Sequence, residues 1–168
     1  GSGDLTVGAG DSGSLVNYVN PSITYTTGTT LETEVYNITI LGGTIGSTGK
    51  MSIRHMNWKK APTVSGNDYI RIRVSTNGIF STSLPQIALF NVTGVAGRAD
   101  FYHANRFFTF RNNFIEFYRP NFFGSTDFGQ GEWWTESLNT SNDFTIHVSV
   151  VLGNSGNGGA LSSLVIDK

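Results

Sequence analysis

Several stretches of this chain alternate apolar and polar residues with a period of two. In Phe144-Thr145-Ile146-His147-Val148-Ser149-Val150 the apolar side chains fall on one face, with Thr, His and Ser on the other. Tyr69-Ile70-Arg71-Ile72-Arg73-Val74 turns Ile70, Ile72 and Val74 inward, and residues 33–40 and 50–54 repeat the pattern. Successive side chains of an extended strand point to opposite faces, so one dry and one wet face predict antiparallel sheet. Residues 160–166 give a last short strand. No sustained apolar spacing of three, four and seven predicts a helix. Thr, Ile, Val and Phe are common, and such side chains suit a pleated, half-buried surface.

Turn signals separate these strands: Gly42-Gly43, residues 46–49, Ser65-Gly66-Asn67-Asp68, Asn77-Gly78 and the glycine-rich run 153–159. Gly and Asn tolerate positive φ and so close hairpins. Pro21, Pro62, Pro85 and Pro120 each stand just outside a strand candidate, where a missing N–H does no harm. Many short strands with regular turns predict an all-β sandwich or barrel. Residues 1–22, rich in Gly, Ser and Asn, read as a linker or an added edge strand, with Gly1-Ser2 a cloning scar; residues 23–168 read as one domain.

At 168 residues the chain suits a single domain with its own core. It has no cysteine, which removes disulfides, thiolate nucleophiles and cysteine-bound zinc, and fits folding in a reducing bacterial cytoplasm. The net charge of −1 and the lack of a basic stripe argue against nucleic acid, because neutralising phosphates needs clustered Lys and Arg. No apolar run approaches the ~20 residues of a membrane helix. With 14% charged residues beside 12% aromatics, the chain has little of the charge that keeps a monomer soluble. Such a surface is either hidden in an oligomer or neutral and rich in Ser, Thr and Asn.

Residues 101–134 carry most of the aromatic side chains, three times as adjacent identical pairs: Phe107-Phe108, Phe122-Phe123 and Trp133-Trp134. In extended chain only one member of each pair faces the core. Three readings of the other member stand open: core after all, packed beneath bent loops; a subunit interface, where aromatics are enriched; or a platform for sugar rings. Phe107, Phe108, Phe122 and Phe123 are the interface candidates. Trp133 and Trp134 are the stacking candidates, with Asp127, Gln130 and Glu132 close by to take sugar hydroxyls.

The chemistry of an enzyme is hard to find. His55, His103 and His147 form no metal-ligand spacing, and His55 and His147 read as strand residues on the polar face. There is no GxSxG elbow and no phosphate-cradling glycine loop followed by Lys and a helix. Glu116, Asp127, Glu132 and Glu136 could supply the carboxylate pair of a glycosidase, yet any domain of this size has such carboxylates. The expectation is therefore no catalytic residue, no metal and no cofactor.

Residues 38–53, Ile-Thr-Ile-Leu-Gly-Gly-Thr-Ile-Gly-Ser-Thr-Gly-Lys-Met-Ser-Ile, are followed by Trp58. This run resembles the strand, GGxIGxxGxLxI and Trp pattern of the C-terminal domains of bacteriophage tail fibres and tailspikes. Residues 142–154, closing with Leu161 to Ile166, are similar to that family's final DxTIxVxxxL-N strand, loop and strand. Between them Tyr69–Val74 matches a middle strand, and Asn105-Arg106 is reminiscent of a recurring Asn-Arg pair. The resemblance spans about 31–166 and departs from the pattern over 107–136. It implies a jelly-roll-like antiparallel β-sandwich, assembled as a homotrimer at the distal end of a fibre in the virion and recognising a host-receptor glycan. A purely structural trimerisation domain, a free carbohydrate-binding module and, remotely, a glycan hydrolase are the alternatives.

Overall fold

The computed structural model describes residues 13–61, 66–94, 100–120 and 131–168. Ten strands follow in order: β1 (Ser14–Val19), β2 (Thr33–Ile40), β3 (Lys50–Ala61), β4 (Gly66–Ser75), β5 (Gln86–Gly94), β6 (Asp100–Arg111), β7 (Phe114–Pro120), β8 (Gly131–Ser137), β9 (Phe144–Val151) and β10 (Gly158–Asp167). No helix occurs among the described residues. Every pairing between strands is antiparallel. One sheet runs β1-β10-β3-β6-β7-β8, the other β2-β9-β4-β5. Without β7 and β8, the two four-stranded orders are those of a jelly roll, the double-sheet arrangement built from two Greek keys. The β7–β8 hairpin is then an addition to one edge, and it carries much of the aromatic segment.

The inward residues of both sheets form one core. It contains Met51, Ile53, Phe108, Phe110 and Ile115 from the six-stranded sheet and Ile70, Ile72, Phe144, Ile146 and Val148 from the other. Phe110 and Phe144 meet across the gap, with ring centroids 6.1 Å apart. Near one end a fully buried ion pair spans the sheets: Lys60 Nζ lies 3.0 Å from Asp68 Oδ2. The ammonium also donates to the carbonyls of Gly66 and Val92, and Asp68 Oδ1 accepts the Gly153 N–H. A buried pair tolerates its desolvation better when further hydrogen bonds reach both partners; here they reach the ammonium and Asp68 Oδ1, while Asp68 Oδ2 has the ion pair alone.

The alternation ends at Arg54, yet β3 continues to Ala61. The register explains this. Between Ile53 and Met56 it slips by one residue against β6, and it slips again beside Ile53 against β10. A bulge inserts one residue and reverses the parity, so Met51 and Ile53 are followed inward by Met56, Trp58 and Lys60. Trp58 is completely buried, and Gly159 of β10 lies flat upon it: a Cβ there would come within 2.4 Å of the indole. The Gly158-Gly159 step, expected as loop, is therefore strand, because only glycine admits the ring. Pro120, expected outside a strand, is the last residue of β7 opposite Gly131.

Segment 1–22 contributes β1, which pairs with β10 at the sheet edge and places Val16 in the core. Residues 1–12 lie outside the described residues.

Candidate functional site

The hairpin between β6 and β7 turns through Asn112 and Asn113, both at positive φ (48° and 69°). Arg111 pairs with Phe114 across it. Two residues at positive φ make the turn whose twist matches the flanking strands, and Asn tolerates that conformation. The tip rests on the glycine-rich loop between β2 and β3. Phe110 N–H donates to Gly49 O, and Asn112 N–H to Ser47 O. Gly49 must be glycine, since a Cβ would fall 2.1 Å from Ile45 O.

Residues opposite one another on neighbouring strands share a face. On the outer face of the six-stranded sheet this aligns Lys50, Thr109, Glu116 and Thr135 in one row and Arg111, Phe114 and Ser137 in the next. Phe107 stands opposite Ser52 on the same face and is 72% exposed; Phe114 is 46% exposed. The two ring positions lie four residues apart along the sheet, about 13 Å at ~3.3 Å per residue. Arg111 Nε and Glu116 Oε1 approach to 3.5 Å between them. Around the two bare rings stand the hydroxyls of Ser52, Thr109, Thr135 and Ser137 and the charges of Lys50, Arg111 and Glu116.

Phe107 and Phe108 divide between the faces as the extended-chain argument requires. Phe108 pairs with Met51 and Phe117 and is buried in the core. Its expectation as an interface residue is thereby corrected, since its ring is taken up within the subunit. Trp134 pairs with Phe117, so it belongs to the inner side, yet it is 40% exposed. Six strands packed on four leave β8 overhanging, and Trp134 sits on the overhang. Trp133 stands opposite Tyr118 and Glu132 opposite Arg119. The side chains of Trp133 and Glu132, and all of Phe122, Phe123, Asp127 and Gln130, lie outside the described residues. Phe114 is the exposed ring that sequence reading missed; the Asn112-Asn113 turn before it was the available signal. Glu116 and Glu136 cannot form a glycosidase pair, because their partners Thr135 and Ile115 put them on opposite faces.

The outer face of the four-stranded sheet is different. Glu32 accepts from Arg73 Nε (2.7 Å), Arg73 Nη2 (2.9 Å), Arg71 Nη1 (2.6 Å) and Ser149 Oγ (2.6 Å). Arg73 also donates to Leu84 O. Burial alone raises the Glu32 pKa, but the hydrogen bonds from Arg73, Ser149 and Arg71 outweigh it and hold the carboxyl at about 2. Beside this cluster His147 is wholly buried, with Glu34 on Nδ1 and Ser75 on Nε2. That corrects its reading as a residue on a wet face: the face is polar but closed. Among the described residues no group of three His, Asp or Glu could hold a metal ion.

No protein-family model and no curated protein matches the chain. Among solved structures it is similar to the CBM2 module of the evolved Dit of Lactobacillus casei BL23 phage J-1. The identity is 11% and the TM-score 0.33, over 78% of this chain and 67% of that one. A likeness at that level transfers neither fold nor function, and the strand order alone establishes the sandwich.

Proposed function

We propose that this chain is a distal domain of a phage tail fibre or tailspike, which assembles as a homotrimer and holds a host-surface glycan. One observation carries the reading. Among the described residues, every exposed aromatic ring of note (Phe107, Phe114 and Trp134) lies on β6, β7 or β8, whereas the opposite outer face is closed by its own charges. Bare rings beside hydroxyls suit sugar, whose C–H faces stack on aromatics. The resemblance to the fibre domains adds support, because its two segments fall at functional joints of the fold. The glycine run is the β2–β3 loop that braces the aromatic hairpin, and the closing motif is β9 with the chain to β10.

In this reading Phe107 meets a neighbouring subunit, together with Phe122 and Phe123. Trp134 on the overhang, with Trp133, Asp127, Gln130 and Glu132, contacts the glycan. Three weak sites on one trimer gain through avidity. Sedimentation equilibrium should give three times the mass of the chain. A glycan array should show binding that Trp134→Ala weakens without altering that mass. A monomer with binding intact points instead to a free carbohydrate-binding module. A trimer that binds nothing leaves a purely structural trimerisation domain.

A further inference from the structure

The closed face of the four-stranded sheet holds a constellation that glycan binding does not use. His147 Nδ1 lies 2.5 Å from Glu34 Oε1, and its Nε2 lies 2.8 Å from Ser75 Oγ. A carboxylate at Nδ1 favours the tautomer that carries its proton there, which leaves Nε2 free to accept the Ser75 hydroxyl. These are the roles of nucleophile, base and orienting carboxylate in acyl transfer. They are recognised by geometry, and no motif or chain order is required of them. The missing GxSxG therefore does not exclude them.

The fold builds the arrangement deliberately. Strand order β2-β9-β4 brings the three residues together from positions 34, 147 and 75. Glu34 reaches His147 only because β2 is bulged between Glu34 and Tyr36, which turns Glu34 onto the outer face opposite Ser149. Ser75 is the last residue of β4, where the chain leaves the sheet. Gly78, at φ +72°, donates its N–H to Ser75 Oγ (3.1 Å) and holds a lone pair of that oxygen until the tip moves away. Phe80 packs against the imidazole with centroids 5.8 Å apart.

We propose that Ser75, His147 and Glu34 form a nucleophilic relay that hydrolyses small ester-linked acyl groups, the O-acetyl substituents of a surface glycan being the substrate class. The glycan part of this rests on the function proposed above; the relay does not. Ser75 is only 5% exposed, so the tip 76–79 must lift for a substrate to enter, and the acyl group it admits is small. The rest of that connection is tied down by Arg73 to Leu84 O and by Val74 N–H to Pro85 O. Ser75 Oγ bonds to the acyl carbon as its proton passes to His147 Nε2. The sugar hydroxyl leaves with that proton. Water then attacks the acyl carbon, giving up a proton to Nε2; the acyl–Oγ bond breaks, Oγ takes that proton back, and the carboxylic acid leaves.

The test is labelling of the intact protein with a fluorophosphonate, read by intact mass and peptide mapping. The expected result is one adduct on Ser75, absent in Ser75→Ala and slowed at least a hundredfold in His147→Gln, with circular dichroism unchanged. Hydrolysis of p-nitrophenyl acetate should follow the same order. Because the chain has no cysteine, Ser75→Cys gives an independent readout that survives any folding defect of the alanine variant. Its thiol should react with iodoacetamide much faster than in a His147→Gln background. No adduct on Ser75 in the folded protein, or equal thiol rates with and without His147, overturns the relay. Fluorophosphonate labelling needs no glycan, so a blank glycan array and an unlabelled Ser75 are separate outcomes.

Discussion

The two outer faces of this sandwich solve the same problem in opposite ways. Both carry polar residues at alternate strand positions. On the four-stranded sheet those residues are long and charged, and they turn on one another: Glu32 gathers Arg71, Arg73 and Ser149, and Glu34 takes His147. The face folds shut within a single subunit. On the six-stranded sheet many of the polar residues are short hydroxyls, interrupted by Phe107 and Phe114, and among the described residues nothing covers the rings. Polarity alone thus does not tell a wet face from a dry one. What decides it is whether the side chains can satisfy each other.

The comparison can be broken most forcefully at Glu32. Glu32→Gln leaves Arg73, whose side chain is 8% exposed, without its countercharge. Removing one partner of a buried pair costs about 3–5 kcal/mol, and urea denaturation should show a loss of that order. Acid should work on the same group more gently. The folded carboxyl titrates at about 2 against an ordinary 4.5, so the native state binds fewer protons than the unfolded chain in that interval. The stabilisation is whole above pH 4.5 and is lost as pH falls toward 2, about 3 kcal/mol in all at ~1.4 kcal/mol per pH unit. The difference between native and Glu32→Gln stability curves should shrink across that window. On the open face, Trp134→Ala should weaken glycan binding about tenfold per site, or ~1.4 kcal/mol, by isothermal titration. Phe107→Ser should change the thermal stability of the isolated subunit by less than about 0.5 kcal/mol, while weakening the trimer seen in sedimentation.

Much of the fold was legible. Residues 36–40 and 144–150 alternate cleanly because no bulge interrupts them, whereas one between Glu34 and Tyr36 breaks the start of β2. The second half of β3 was not, since a bulge near Arg54 reverses the period and makes Met56 and Trp58 look out of phase. Gly159 looked like loop because nothing local reveals that Trp58 needs bare backbone beneath it. The division of Phe107 from Phe108 followed from strand geometry, but which neighbour was inward depended on the register with Met51. The cluster at His147 was invisible for a different reason. Its members come from three strands far apart in sequence, and His147 shows a polar alternation identical to that of a solvated residue. Only the strand order discloses that Glu34 and Ser75 flank it.

Strands β1 and β10 lie side by side at one edge, with Ser14 opposite Asp167 and Lys168 N–H bonded to Gly13 O. Tension applied between residues 13 and 168 would open that ladder rung by rung, like a zip, and meet little resistance. Tension between residue 13 and a ligand gripped at β8 must instead cross the sheet sideways, through β10, β3, β6 and β7 in turn. A domain hung by β1 and loaded at β8 passes the whole pull through each ladder of that sheet in turn, so the weakest ladder sets its strength.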